Sequence, residues 1–357
     1  MNKKELELYI HIPFCVRKCS YCDFLSAPAT EQTREAYMAA LFAEIGGRAK
    51  DYSDRTVTSI FIGGGTPSLL SGEQIGQLMD RIREQFAMAQ DAEITMEVNP
   101  GTASAEKLRN FYTAGINRLS IGMQSAQAEE LKNLGRIHDF EGFCQVYREA
   151  VEAGFTNINV DIMSGLPGQT LASYRDTLEK VLHLEPMPQH ISAYSLIVEE
   201  GTPFAAMAER GELPLPEEET ERAMYEETIE VLAKYGFHRY EISNYARDGY
   251  ECRHNVGYWI RRDYLGFGIG AASLIDNVRF QNEKSLGAYL AHPLESREEE
   301  QTLTVQDRME ETMFLGLRLT RGVSCVDFAE QYGRTVEEVY GEVIARNVAD
   351  GLLTVTE

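Results

Sequence analysis

Leu8-Tyr9-Ile10-His11-Ile12-Pro13-Phe14-Cys15-Val16-Arg17-Lys18-Cys19-Ser20-Tyr21-Cys22 is an apolar strand that runs directly into three closely spaced thiols. Iron-sulfur clusters of the [4Fe-4S] type usually take four cysteine thiolates. A compact trio, Cys15, Cys19 and Cys22, with no fourth cysteine nearby, predicts a cluster with one iron open to an outside ligand. A structural zinc site is the competing reading, but it needs a fourth ligand, and His11 on the strand is poorly placed to supply it. A disulfide fits badly with a chain that reads as cytosolic.

Outward from this stretch, short β-branched runs alternate with helical patterns. Strands are expected at 8–12, 57–62, 94–98, 118–122, 158–162 and 191–196, with helices at 33–48, 72–86, 105–114, 140–153 and 171–184. Six strands alternating with helices predict an α/β fold with a parallel sheet, too short to close an eight-stranded barrel and long enough for an open, partial (β/α)6 barrel. In such sheets ligands sit on the loops after the carboxyl ends of the strands. The unusual residues fall there: the cysteines after the first strand, Gly63-Gly64-Gly65-Thr66-Pro67 after the second, Glu97-Val98-Asn99-Pro100 after the third, Gln124-Ser125 after the fourth and Asp161 at the end of the fifth. Consecutive glycines let backbone amides approach an anionic or zwitterionic ligand, or simply make a tight turn. The glycine run is neither a Walker loop nor a dinucleotide fingerprint, because neither spacing is present.

Three regions are expected: 1–200 as the barrel, 201–295 as a connecting region, and 296–357 as a helical, winged-helix-like unit. Pro203, Pro214 and Pro216 followed by an acidic helix at 217–235 mark the change of character, and the polar stretch 295–301 reads as a separator. The last region has helices near 325–332 and 335–350 followed by Leu352-Leu353-Thr354-Val355, and it lacks a basic recognition face. A net charge of -22 argues against nucleic-acid binding. The N-terminus, from Met1 to Glu7, has no apolar leader, and no apolar stretch approaches the roughly 20 residues that span a bilayer, so a cytoplasmic protein is expected. Cys144 and Cys325 read as small apolar side chains in helices.

The spacing of the cysteine trio resembles the signature of the radical S-adenosylmethionine (SAM) superfamily. The likeness extends over nearly the whole chain through Tyr9 to Cys15, Gly63 to Pro67, Glu97 to Pro100, Ser120-Ile121-Gly122-Met123-Gln124-Ser125, Gly135-Arg136-Ile137-His138, Asp161-Ile162-Met163-Ser164-Gly165-Leu166-Pro167-Gly168-Gln169 and His254-Asn255-Val256-Gly257-Tyr258-Trp259. Together these resemble the coproporphyrinogen oxidase-like group, which contains the oxygen-independent coproporphyrinogen III oxidase and a branch of heme chaperones. The resemblance implies the partial barrel, a [4Fe-4S] cluster whose open iron is chelated by SAM, and reductive cleavage of SAM to a 5'-deoxyadenosyl radical. It places Tyr9, Tyr21, Gly64, Gly65, Thr66, Glu97, Gln124, Arg136 and Asp161 around SAM, with Ala272, in Gly268-Ile269-Gly270-Ala271-Ala272-Ser273, near the adenine. Glu97 suits an ammonium, Arg136 a carboxylate and Asp161 ribose hydroxyls. Each also has an ordinary role open to it, as a strand-end cap, a surface ion pair or a loop hydrogen bond.

Two departures separate the chain from the oxidase in this comparison. Phe24 stands where the oxidase carries a fourth cysteine, and the first strand begins by about Glu7, without the oxidase's longer leading extension. The positive counterpart is His254 beside Tyr258 and Trp259, an imidazole next to two large aromatics, suited either to heme or to filling an interdomain gap. The resemblance implies heme as a further ligand, with His254 as its iron ligand and Cys252 as a second conceivable one. The favoured function is a non-catalytic heme chaperone that passes heme to acceptor hemoproteins such as respiratory enzymes. In it SAM and the cluster organise or switch the protein, a homodimer is one form of that switch, and a passing contact with the membrane is compatible. The alternative is an oxidase that decarboxylates coproporphyrinogen III to protoporphyrinogen IX; a radical enzyme with another substrate is the third reading.

Overall fold

The computed structural model describes residues 4–295 and 297–356, except for the side chain of Glu299. Met1 to Lys3 of the expected leader-free N-terminus, Ser296 at the expected start of the last region, and Glu357 lie outside the described residues.

The first half alternates as expected: β1 (Lys4–Ile12), α1 (Glu31–Arg48), β2 (Arg55–Gly64), α2 (Gly72–Gln85), β3 (Ala87–Val98), α3 (Ala105–Thr113), β4 (Arg118–Gln124), α4 (Ala128–Leu134), α5 (Phe140–Ala153), β5 (Ile158–Ser164), α6 (Leu171–Leu182) and β6 (His190–Ser195). Strands β1 to β6 lie side by side in chain order and all parallel. Helices shield them, so the strands are buried on both faces: every residue of β4 is buried, and Leu6, Leu8, Ile10 and Ile12 of β1 are fully enclosed. Helix starts are fixed locally, as where Ser71 and Gln74 exchange the two bonds of a capping box and Asp139 accepts from the Gly142 amide. The short helix α4 was not expected; seven residues give too little periodicity to read.

The second half comprises α7 (Pro203–Glu209), α8 (Glu218–Lys234), β7 (His238–Arg239), β8 (Asn244–Ala246), α9 (Arg253–Trp259), β9 (Tyr264–Phe267), β10 (Ala272–Ile275), β11 (Val278–Asn282), α10 (Leu286–Ala291), β12 (Arg297–Thr302), α11 (Val305–Gly316), α12 (Cys325–Tyr332) and α13 (Val336–Ala349). These residues extend the sheet at both ends rather than merely connecting two bodies. Strand β9 adds parallel to β1 on its free side, pairing Leu8 with Leu265, and an antiparallel meander through β10, β11 and β12 follows. At the other end β8 and β7 add antiparallel to β6, giving one sheet of twelve strands among the described residues.

Two expectations change here. The acidic stretch 295–301 is not a separator, because most of it is strand β12; charged residues on an edge strand discourage further pairing, which hides the strand from a search for apolar alternation. Cys325 opens α12 but is exposed rather than packed. The helices expected in the last region are present.

Arg55 ties the meander to the barrel. Its buried guanidinium meets Asp263 Oδ2 at 2.5 Å and Asp276 Oδ2 at 2.6 Å, joining β2 to the ends of β9 and β10. Arg55→Met leaves Asp263 without its cation, while Asp276 keeps Lys4 at 2.6 Å, and is expected to cost about 1–2 kcal/mol, read as a lower denaturant midpoint with an unchanged slope.

Candidate functional site

The strand order brings the predicted loops to one end of the sheet. After β1 the chain makes a parallel bridge between Phe14 and Ala27, with the Cys15 amide donating to Ala27 O and the Ala27 amide to Pro13 O, so the cysteine loop is closed at its base. Cys15, Cys19 and Cys22 are free and partly exposed. They face a cavity of about 320 Å³ that is also lined by Tyr21, Gly64, Gly65, Thr66, Glu97, Gln124, Arg136 and Asp161. Tyr9 and Ala272 do not line it. They lie on a second cavity, of about 580 Å³, that shares Phe24, Gly64 and Glu97 with the first.

The backbone at Gly64 has φ +112°, and a Cβ there would sit 2.5 Å from the His11 ring, so only glycine fits this turn. Its amide donates to Glu97 Oε2 at 3.0 Å. Thr66 Oγ1 lies 3.5 Å from Cys15 Sγ, and Arg136 Nη1 lies 3.8 Å from Cys19 Sγ while its Nη2 donates to Gly122 O at 2.8 Å. Gln124 has φ 69°, a left-handed conformation that a non-glycine residue adopts at some cost, and such strain concentrates where a side chain must be aimed. Asp161 accepts from Asn159 Nδ2 at 2.7 Å and from Ser120 Oγ at 3.1 Å. Burial, reinforced by the Asp161 charge, pushes Glu97 up to about 8, and burial likewise raises Asp161 and the Cys22 thiol. Two enclosed acids and three free thiols thus share one cavity.

These residues fit a cluster with SAM. The thiols are uncrosslinked, Arg136 keeps a buried Nε that no hydrogen bond satisfies, and the glycine loop leaves no room for side chains where a ligand backbone would lie. Arg118, Ser120, Asn159, Ser192 and Tyr194 also line the cavity and were not singled out from sequence. A charged residue opening an otherwise apolar strand was the available signal for Arg118.

His254, expected as a heme-iron ligand, faces neither cavity in this structure. Helix α9 turns this side chain inward against β2, where it is 1% exposed and stacks on Phe61 with ring centroids 5.3 Å apart. Both ring nitrogens are engaged, Nδ1 with Ser59 Oγ at 2.9 Å and Nε2 with the Tyr258 hydroxyl at 3.0 Å. Burial, aided by Arg118, pushes its pKa down to about 3, so the ring is neutral. It lines neither cavity, whereas Tyr258 and Trp259 line the second. Cys252 is also enclosed, its thiol directed at Glu93 Oε1 at 3.6 Å and pushed up to about 12 by burial.

Beneath His254 lies Glu7, fully buried, with Oε2 3.8 Å from His254 Nδ1 and Oε1 3.4 Å from Arg262. Burial raises Glu7 to about 8, only partly offset by Arg262. Between the ordinary carboxylate range and about pH 8 the folded chain therefore binds a proton that the unfolded chain has released, so this group makes stability fall as pH rises through that window. Glu7→Gln is expected to flatten that fall, and melting temperatures of both proteins at about pH 5 and about pH 8.5 test it.

Residues 9–181 match the Radical SAM superfamily, and residues 303–357 match the HemN C-terminal domain. The heme chaperone HemW of Bacillus subtilis (strain 168) is 40% identical over 352 residues, covering 97% of this chain and 92% of that protein. The heme chaperone HemW of Escherichia coli (strain K12) is 37% identical, covering 98% and 92%. Among solved structures, coproporphyrinogen III oxidase (HemN) from Escherichia coli, described as a radical SAM enzyme, superposes with a TM-score of 0.87 at 29% identity, over 100% of this chain and 86% of that one. No helix among the described residues is long and apolar enough to cross a membrane. A radical SAM fold with the HemN C-terminal domain, matched over nearly its full length by heme chaperones, places this chain in the HemW family.

Proposed function

We propose that this chain binds heme and passes it to acceptor hemoproteins such as respiratory enzymes, using its cofactor site to organise the carrier rather than to turn over substrate. The observation that carries this reading is the second cavity: larger than the cofactor cavity, walled by Tyr9, Tyr258, Trp259 and Tyr264, and adjoining the cofactor cavity through Phe24, Gly64 and Glu97. A flat, largely apolar macrocycle suits such a wall. In this reading Cys15, Cys19 and Cys22 hold the [4Fe-4S] cluster, which when bound with SAM supplies the capacity for reductive SAM cleavage. Gly64, Gly65 and Thr66 present backbone and hydroxyl to the methionyl end, Glu97 receives the ammonium, Arg136 the carboxylate and Asp161 the ribose. Gln124 and Tyr21 close the sides, and Tyr9 and Ala272 reach the ligand from the neighbouring cavity. Residues 1–200 then carry the cofactors and the Tyr9 side of the heme wall, 201–295 the Tyr258, Trp259 and Tyr264 side, and 296–357 the cover, through Leu315. Cofactor-dependent pairing of two chains and brief contact with a membrane during delivery belong to the same proposal.

Anaerobic titration of hemin into cluster-reconstituted protein tests it. Saturable uptake, followed by transfer to an added apo-hemoprotein, is expected; uptake no greater than that of an unrelated acidic protein would remove the basis for the reading. The likeness to HemN keeps decarboxylation as the second reading. Phe24, 59% exposed where that reading needs a fourth thiol, weighs against it. Protoporphyrinogen formed from coproporphyrinogen III would reverse the order of the two.

A further inference from the structure

We propose that Tyr258, rather than His254, is the axial ligand of ferric heme iron, and that His254 is the positioning residue that holds and supports its phenolate. This rests on the heme-carrier reading and assigns chemistry to its second cavity.

Helix α9 places residues 254 and 258 one turn apart on one face. Their rings meet edge to face, 4.8 Å between centroids at 76°, and His254 Nε2 lies 3.0 Å from the Tyr258 oxygen. Only Tyr258 of the two lines the cavity. Its other side is held edge-on by Tyr264, 4.6 Å away. Ferric iron is served by phenolate ligands as well as by imidazole, and Tyr258 is the member of this pair that lines the space.

A second tyrosine–histidine pair on the same cavity shows why the choice falls here. Tyr9 lies 2.9 Å from His11 Nδ1, but His11 Nε2 faces the Leu25 carbonyl at 2.9 Å. A carbonyl only accepts, so His11 carries its proton on Nε2 and its Nδ1 can only accept from the Tyr9 phenol. That imidazole cannot donate to a phenolate. His254 differs. Its Nδ1 faces the Ser59 hydroxyl, which donates or accepts, so the tautomer with the proton on Nε2 is available and donates to a Tyr258 phenolate. Tyr264 lies against Arg279, whose Nη1 is 2.6 Å from Glu311 Oε1; this cation at the cavity wall suits a heme propionate.

The coordination step balances simply. Hydroxide bound to ferric heme takes the phenolic proton of Tyr258 and leaves as water, an iron–oxygen bond to Tyr258 replaces the one lost, and iron stays ferric.

Resonance Raman and electron paramagnetic resonance spectra of hemin-loaded, cluster-reconstituted full chain test the assignment. The parent is expected to show iron–phenolate modes. Tyr258→Phe is expected to lose them, with hemin affinity weaker by about tenfold or more; His254→Ala is expected to keep them with a loss of about tenfold. Tyr258→His is expected to restore tight binding with an imidazole-type spectrum, which separates loss of a ligand from loss of folding. A parent spectrum without phenolate modes, or a Tyr258→Phe spectrum identical to the parent's, overturns the assignment and leaves the carrier reading standing. A parent that takes up no hemin overturns both.

Discussion

Cys19→Ala is expected to yield a folded protein that takes up no stable cluster and binds SAM no better than a chain never given iron and sulfide. The three thiols are the only cysteines on the cofactor cavity, since Cys144, Cys252 and Cys325 lie elsewhere, so no neighbour substitutes for a lost ligand. The change is all-or-none at the site and small in the fold. Cys19 is partly exposed, and the loop is closed by backbone bonds at Cys15 and Ala27 that the substitution leaves in place. Reconstitution followed by iron and sulfide analysis measures the loss, and an unchanged thermal transition of the cofactor-free protein shows that it is local. A stable, SAM-responsive cluster in this variant would remove Cys19 from the ligand set.

Gly65→Ala is expected to damage both fold and site. A Cβ at Gly65 would lie 2.7 Å from Phe14 O, 2.8 Å from Phe14 N and 3.0 Å from Ile12 O. All three atoms are backbone, so no side chain can swing away; the end of β1 must move, and Cys15 moves with it. The Gly65 amide also donates to Ile12 O at 2.8 Å, a bond that the same displacement breaks. The cost is expected to be about 3 kcal/mol, with cluster uptake impaired even where the protein folds. Gly76→Ala is the matched control. Gly76 lies within α2, and beyond the backbone of its own helix no described atom lies within 4 Å of the added Cβ, so the exchange is expected to stabilise the helix by about 1 kcal/mol. Denaturant melts of the two variants side by side separate a general glycine effect from the close approach at Gly65.

The sequence was most readable where one physical rule acted alone. Parallel strands enclosed on both faces leave dense β-branched runs, and β1 to β6 stand where those runs predicted. Loop residues with unusual chemistry, such as the cysteine trio and Gly63 to Pro67, announced the cofactor cavity because nothing in turn formation alone requires them together. The rest was hidden for identifiable reasons. Strands β7 to β12 are short or charged, and their place in the sheet depends on pairing rather than on local pattern. Arg118 and Glu7 are buried charges whose partners, among them Asp161, Glu93 and Arg262, lie far along the chain. The motif from His254 to Trp259 was visible as chemistry, yet which member of it faces the cavity followed only from the inward turn of α9.

The pairing of β9 with β1 has a consequence for the birth of the molecule. As the chain leaves the ribosome, β1 and the cysteine loop emerge well before the strand that covers their outer edge, which is about 250 residues further on, at Tyr264–Phe267. Until those residues arrive, β1 is a bare edge with unpaired backbone groups next to three free thiols, a form open to aggregation and oxidation. Nascent chains stalled before residue 264 should need a chaperone's protection, and metal loading should come late in synthesis, after the C-terminal meander has sealed the edge.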